Sequence, residues 1–395
     1  MIDRILTGRF TGIPVFITVM LLIFHLTFNV IGKFLSDILA ACIDAAVSRL
    51  SYMLLAAGVN PPFHDLVIDG VCAGVGSVLS FVPVIAVLFF FLSLLEGSGY
   101  LPNVAALMDR PMMKLGLSGR CIVPLVMSFG CAVPAVMAAD SMLTARERMR
   151  TIPLIPFMSC SARLPIYAMF ISVFFERYRV LAMTGIYAAG ILTALLYALF
   201  MKHTQPLSRS VLQAAPSVPY RLPDMHAVLS IVWLNVKGFI KKAFTVIFMA
   251  SVIIWFLRSF DTHLHLITDE SDSILAVMGK CTAPLFTPLG FGDWHASAAV
   301  IAGIFAKEAV ISTFAVLACA HPGASLPGML SDIFSPAGAF SFMIFCLLYV
   351  PCIATVAAIR SCTGSLCYVA RLIMIQLSIA WLASFSAYCI FTLVI

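Results

Sequence analysis

Apolar stretches long enough to cross a lipid bilayer recur from one end of this chain to the other. A helical span needs about 20 mostly apolar residues, because about 30 Å of hydrocarbon must be covered at about 1.5 Å per residue. Residues 12–31, 180–201, 243–258 and 372–395 meet that need without interruption. Residues 66–98, 121–139, 151–175, 296–319 and 338–360 are also apolar, but carry Gly, Pro, Cys or a charge in mid-span. With 62% hydrophobic and 11% charged residues among 395, against about 45–50% and about 25% in a soluble domain, little polar surface is left to face water. The expected fold is all-α and integral to the membrane: a polytopic helical bundle of about eight to nine spans, given the span length above. Residues 1–395 read as a single transmembrane domain with Gly/Pro-broken segments at about 121–175 and 296–360.

Charge then orients the spans. The net charge of +6, from 24 Lys and Arg against 18 Asp and Glu, is too dispersed for a nucleic-acid partner, but basic loops mark the cytoplasmic side. Arg4 and Arg9 precede a first apolar run too long for a signal-peptide core, so the N-terminus is expected in the cytoplasm. Loop 202–242 carries Lys202, Arg209, Arg221, Lys237, Lys241 and Lys242 against Asp224, and is placed inside. Loop 258–272, with Asp261, Asp269, Glu270 and Asp272 against Arg258, is placed outside. Arg146, Arg148 and Arg150 stay inside only if 121–139 enters and returns; 296–319 must do the same from the other face. Two re-entrant segments of opposite sense suggest inverted repeats. Residues 33–57 and 226–242 carry polar stripes at helical spacing and read as surface helices, while the Pro-rich stretch 202–224 reads as a linker.

The interruptions hold the chemistry. In Ser128-Phe129-Gly130-Cys131-Ala132-Val133-Pro134, Gly130 frees the backbone and Pro134 removes a helical hydrogen bond. Unwound backbone at membrane depth persists only when buried or lining a cavity; a plain kinked helix is the alternative. Pro156-Phe157-Met158-Ser159-Cys160-Ser161-Ala162-Arg163-Leu164-Pro165 gathers a thiol, hydroxyls and a cation between prolines. Arg163 is either functional or a snorkelling end residue. Lys307 and Glu308 lie mid-span in Phe305-Ala306-Lys307-Glu308, and need partners in the bundle or a wet cavity, or else form a structural charge network. Pro351-Cys352-Ile353-Ala354-Thr355 again sets Pro beside Cys. Thiols with a carboxylate suit Fe²⁺, Mn²⁺ or Zn²⁺ better than Mg²⁺ or Ca²⁺. The other cysteines among the twelve are scattered and read as small hydrophobes. His263 and His265 read as parts of a solvated outer loop, and His25 as packed within the first span.

These four runs, with Asp3-Arg4-Ile5-Leu6-Thr7 and Ile253-Ile254-Trp255-Phe256-Leu257, resemble the gate motifs and membrane region of the bacterial ferrous iron transport protein B family. Two positions depart: Ala132 stands where the family usually has Asn, and Ala139-Asp140 where it usually has Thr-Arg. The resemblance implies a multi-pass Fe²⁺ transporter of the cytoplasmic (inner) membrane, not an enzyme, with Fe²⁺ as cargo and no resident cofactor. It implies Cys131, Cys160, Glu308 and Cys352 as metal-contacting residues. Gly130, Pro134, Ser159, Ser161, Arg163, Lys307, Pro351 and Thr355 would form the gate or path. The family normally begins with a GTPase, yet no G-x-x-x-x-G-K-S/T occurs here. No GTP site is therefore expected on this chain, read as a split-gene product or an excised piece. A separate G protein or G domain and a small cytoplasmic accessory protein are the implied partners beside the bilayer, with homo-oligomerisation open. Rival readings are a nucleoside-type or other small-solute carrier, for which Asn and Gln are scarce, a thiol oxidoreductase, for which no C-x-x-C exists, and a non-transporting assembly subunit.

Overall fold

The computed structural model describes residues 12–58, 60, 63–64, 66–204, 219–261, 263, 265, 267, 273–319 and 326–394. The Arg4 and Arg9 segment, most of the 202–224 linker and most of the acidic 258–272 loop lie outside them. Helices dominate: α1 (Gly12–His25), α2 (Ile31–Ala56), α3 (Ala73–Gly97), α4 (Tyr100–Lys114), α5 (Ile122–Met127), α6 (Ala132–Met142), α7 (Ala145–Thr151), α8 (Leu164–Phe174) and α9 (Arg179–Thr204) come first. There follow α10 (Met225–Ser259), α11 (Ile274–Phe286), α12 (Trp294–Phe305), α13 (Ala309–Cys319), α14 (Leu326–Ile333), α15 (Pro336–Leu348), α16 (Ile353–Thr363) and α17 (Leu366–Val394).

Among the described residues, six helical stretches are long and apolar enough to cross a membrane: Gly12–Ala56, Leu79–Gly97, Ala145–Phe174, Glu176–Thr204, Pro336–Thr363 and Leu366–Leu393. The pair Ile274–Leu289 and Trp294–Phe305, bent by 104°, makes a seventh if it counts as one span. The chain is thus a multi-pass, all-α membrane protein, with fewer spans in this part than the eight to nine expected. Two expected surface helices are instead continuous with their neighbours. Residues 33–57 extend the first span through a π-helical turn at Leu26–Val30, and 226–242 run into 243–258 as one 35-residue helix. Neither junction has a capping residue or a proline to stop the helix, and at about 1.5 Å per residue both outrun the hydrocarbon. Gly32 permits the π-turn, since a Cβ there would collide with the Thr27 carbonyl and lie 3.2 Å from Val84 Cα.

Element order repeats along the chain. A helix (α4, then α11) leads through a 3₁₀ turn (Gly119–Cys121, then Thr287–Leu289) to a split helix pair (α5/α6, then α12/α13). A second broken run follows, and a long helix closes each half (α9, then α17). The breaks fall at 128–131, 158–160, 306–308 and 349–352, on the four motifs. Gly290, left-handed at φ 82°, turns the chain between α11 and α12.

The chain divides into two compact units. One draws on 1–60, 72–155 and 194–246, the other on 61–71, 156–193 and 247–395. In the first, Ser36 donates to the Ser80 carbonyl at 2.5 Å, tying α2 to α3. In the second, α15 is buried along nearly its whole length, and Ser341 and Ser384 hydroxyls, 2.7 Å apart, join it to α17. Phe170, Phe314, Phe334 and Phe342 stack and cross at 5.0–6.0 Å between ring centroids. The aromatic array continues through Phe291 and Phe345 to Tyr349, and so reaches the break after α15. Tight aromatic packing holds this break rigidly at its α15 side.

Candidate functional site

In the first unit, α5 ends at Met127 and α6 begins after Cys131. Ser128 is fully buried and donates its hydroxyl back to the Leu125 carbonyl at 2.5 Å, satisfying one acceptor that the helix end leaves open. Cys131, half-buried, occupies the N-cap of α6 in extended backbone, φ −152° and ψ 133°. Gly130 is absent from the left-handed glycines; it is needed for its size, because a Cβ would stand 3.2 Å from Phe28 and 3.3 Å from Phe24. Pro134 lies in the first turn of α6, where amides have no intrahelical acceptor in any case. Contrary to the expectation, it starts the new helix and removes no bond from an old one.

The second unit repeats the cysteine's local position twice. Cys160 precedes the 3₁₀ turn Ser161–Arg163 with φ −80° and ψ 160°, and Cys352 precedes α16 with φ −58° and ψ 153°. All three motif cysteines are thus the last extended residue before a helix begins. A helix N-terminus carries unpaired amides and partial positive charge, which favour an anionic group. The Cys352 sulfur lies 3.2 Å from the Thr355 hydroxyl, itself 1% exposed, and Pro351 is buried in the extended stretch. Ser159 is buried and donates to the Tyr167 hydroxyl at 3.3 Å; Ser161 is half-buried.

Buried cations serve the opposite helix ends. Arg163, 2% exposed, donates to the Pro156 and Met158 carbonyls, both at 3.3 Å, which the break at 158–160 leaves without helical donors. It is therefore no snorkelling end residue. Lys307, 3% exposed, donates to the Val350 carbonyl at 2.6 Å, and its ammonium stands 3.3 Å from the centroid of the Tyr349 ring. Carbonyl ends carry partial negative charge, so the breaks at 158–160 and 349–352 each set a cation on the carbonyl side and a thiol at the start of the following helix.

Three of the four motifs converge here. Lys307 interacts electrostatically with Arg163, Cys160, Cys346 and Cys352, and Cys352 with Cys160. Glu308, in the same break, is exposed where Lys307 is buried. Among the described residues no three His, Cys, Asp or Glu side chains gather closely enough to hold a metal ion. What the second unit offers is a pair of thiols with hydroxyls beside them and two fixed cations. Sequence reasoning missed Tyr349, Tyr167 and Cys346. Tyr349 alone left a signal, as the one aromatic residue beside the Val-Pro-Cys break.

The ranges matched in comparisons with known proteins include the four motifs. The gate family, described as nucleoside recognition, matches residues 78–174 and 240–366. An Fe(2+) transporter FeoB of Staphylococcus aureus is 42% identical over 392 residues, covering 98% of this chain and 58% of the relative. One from Methanocaldococcus jannaschii is 37% identical, covering 92% of this chain and 54% of the relative. A Porphyromonas gingivalis protein, named as a fusion of Fe(2+) transport protein A and Fe(2+) transporter FeoB, is 33% identical over 98% of this chain and 51% of its own length. The chain thus spans little more than half of the curated relatives it matches. No solved structure matches.

Proposed function

Because this chain belongs to the gate family, and within it corresponds to the membrane region of the ferrous iron transport protein B family, we propose that it carries Fe²⁺ across the cytoplasmic membrane of a bacterium. The observation that carries the reading is the convergence of Cys160 and Cys352, each at the start of a helix, with Lys307 and Arg163 in one buried break region. Fe²⁺ accepts sulfur ligands, and a thiol must give up its proton to become one. Two thiolates would neutralise the ion, while the hydroxyls of Ser159, Ser161 and Thr355 offer oxygen as it passes. The two fixed cations have a complementary task. They compete for the same thiolates, so the ion binds well enough to enter and weakly enough to leave. Cys131 and Glu308, at the other two breaks, are further contacts for the ion, and Gly130, Pro134 and Pro351 lie in or beside the broken stretches.

Control by nucleotide belongs to a G domain or separate G protein in this reading, with a small cytoplasmic accessory protein beside it. The fused relative from Porphyromonas gingivalis supports the second partner. The test is initial-rate Fe²⁺ flux under reducing conditions in proteoliposomes, normalised to folded protein, with Mg²⁺ and a nucleoside as competitors. Replacing Cys131, Cys160 or Cys352 by Ser removes the soft ligand at similar size, and flux should fall by about tenfold or more. Cys389→Ser, outside the motifs, should leave it unchanged. Wild-type flux in all three variants overturns the thiol path, and loss only in Glu308→Gln moves the path to oxygen ligands.

A further inference from the structure

The first unit contains a cavity that the thiol path does not use. Its volume is about 170 Å³, and Ser93, Glu96, Met137, Asp140, Ser141 and Asn235 line its polar side. They come from three elements: α3 supplies Ser93 and Glu96, α6 supplies Met137, Asp140 and Ser141, and α10 supplies Asn235. Ser93 is 5% exposed and lines the cavity, yet neither it nor Glu96 nor Asn235 makes a side-chain hydrogen bond or ion pair among the described residues. Mid-helix serines usually spend the hydroxyl on the carbonyl one turn back; Ser80 does so here, donating to the Gly76 carbonyl at 2.8 Å. A hydroxyl buried without a protein partner, in the same cavity as the exposed carboxylate of Glu96, marks a place built for a third party. Asp140 is engaged, by an ion pair with Arg148, whose Nε is buried without a partner.

We propose that this cavity is a second, oxygen-lined site for a divalent transition cation of the Fe²⁺ or Mn²⁺ class. Glu96 and Asp140 are its anionic ligands, and Ser93, Ser141 and Asn235 its neutral ones. Arg148 is the charge that the ion displaces from Asp140. Several observations favour a small hard ion over an organic cation. The polar groups are all oxygen donors or an amide, they converge from three helices, and the space holds an ion with a few of its waters. The charge arithmetic is also right: with Arg148 bound to Asp140 the site keeps one negative charge, that of Glu96, and moving the guanidinium aside leaves two for a dication. The choice of cargo rests on the transport reading. The site itself does not.

Mn²⁺ binding to the full chain in nanodiscs, followed by electron paramagnetic resonance of the free ion, tests this without any transport assay. The wild type should show saturable Mn²⁺ binding that survives replacement of Cys131, Cys160 and Cys352 together by Ser. Glu96→Gln should weaken binding by about tenfold or more, whereas Arg148→Gln should tighten it by freeing Asp140. Asp140→Asn serves where Arg148→Gln fails to fold, and should weaken binding as Glu96→Gln does. Absence of Mn²⁺ binding, unchanged binding in folded Glu96→Gln, or weaker binding in folded Arg148→Gln each overturns the site. Loss of binding with the three cysteines alone assigns the ion to the thiols and overturns it too. Failure of Fe²⁺ flux with these results intact would count against the transport reading only.

Discussion

At the scale of single residues, the pairing of Lys307 with Tyr349 is the most exposed to test. The ammonium spends one proton on the Val350 carbonyl and rests on the ring face, while the Tyr349 hydroxyl is buried with no partner. The ring, not the hydroxyl, is then what Lys307 uses. Tyr349→Phe should be neutral or stabilising, since it removes an unpaired buried hydroxyl whose burial costs about 1–3 kcal/mol. Tyr349→Leu and Lys307→Met should each destabilise, and the double variant should lose less than their sum, with a coupling of about 1 kcal/mol. Thermal unfolding of the purified protein reads all four. Additive losses, or a Tyr349→Phe as costly as Tyr349→Leu, would sink the assignment. The cysteines and Arg163 were legible in the sequence because a charge or thiol close to a proline is rare in lipid-facing helix, and Lys307 because a charge in mid-span is costly. The Val350 carbonyl was not, because a carbonyl becomes an acceptor only once the helix has been broken elsewhere.

At the scale of elements, the sequence distinguished unbroken spans from interrupted ones, and four of the five interrupted spans are broken at their motifs, whereas Pro83 in 66–98 lies inside the continuous α3. It misjudged where helices join, at 31–33 and 242–243, since a polar stripe changes what a helix faces without stopping it. It also misassigned the cause of the first break. Gly130 lies in ordinary backbone, with Phe24 and Phe28 pressed against the space a side chain would take. Gly130→Val should therefore act by overpacking, at a cost of about 1–3 kcal/mol. Adding Phe28→Ala should recover part of that loss, because the smaller side chain vacates the space. The measurement is again thermal unfolding, with single and double variants compared. A double variant less stable than Gly130→Val alone would show that backbone freedom, not room, is what the glycine supplies.

At the scale of the whole molecule, the repeated element order and the placement of charge bear on one question, whether the halves run in opposite senses through the membrane. The long helices that close the halves, α9 and α17, are equivalent in order but differ in where their unpaired basic residues lie. α9 begins with Arg179, which is paired to Glu176, and has Lys202 and His203 in its last turn, whereas α17 has Arg371 near its start. If Lys and Arg stay in the cytoplasm, α9 ends inside and α17 begins inside. Equivalent helices then cross in opposite directions, as inverted repeats require. The broken segments alone could not decide this, because a re-entrant helix returns its charges to the side it left. Single-cysteine labelling with a membrane-impermeant maleimide decides it, on a background with all twelve native cysteines replaced by Ser or Ala. Leu393→Cys, at the exposed end of α17, should be labelled in intact cells. His203→Cys and Ser365→Cys should be labelled only after permeabilisation. Labelling of His203→Cys in intact cells reverses the orientation, and labelling of Leu393→Cys and His203→Cys from the same side removes the inversion. A two-fold relation of that kind would explain why a thiol begins a helix in the broken runs of both halves: each half then presents the same half-helix end to the path, from opposite faces of the membrane.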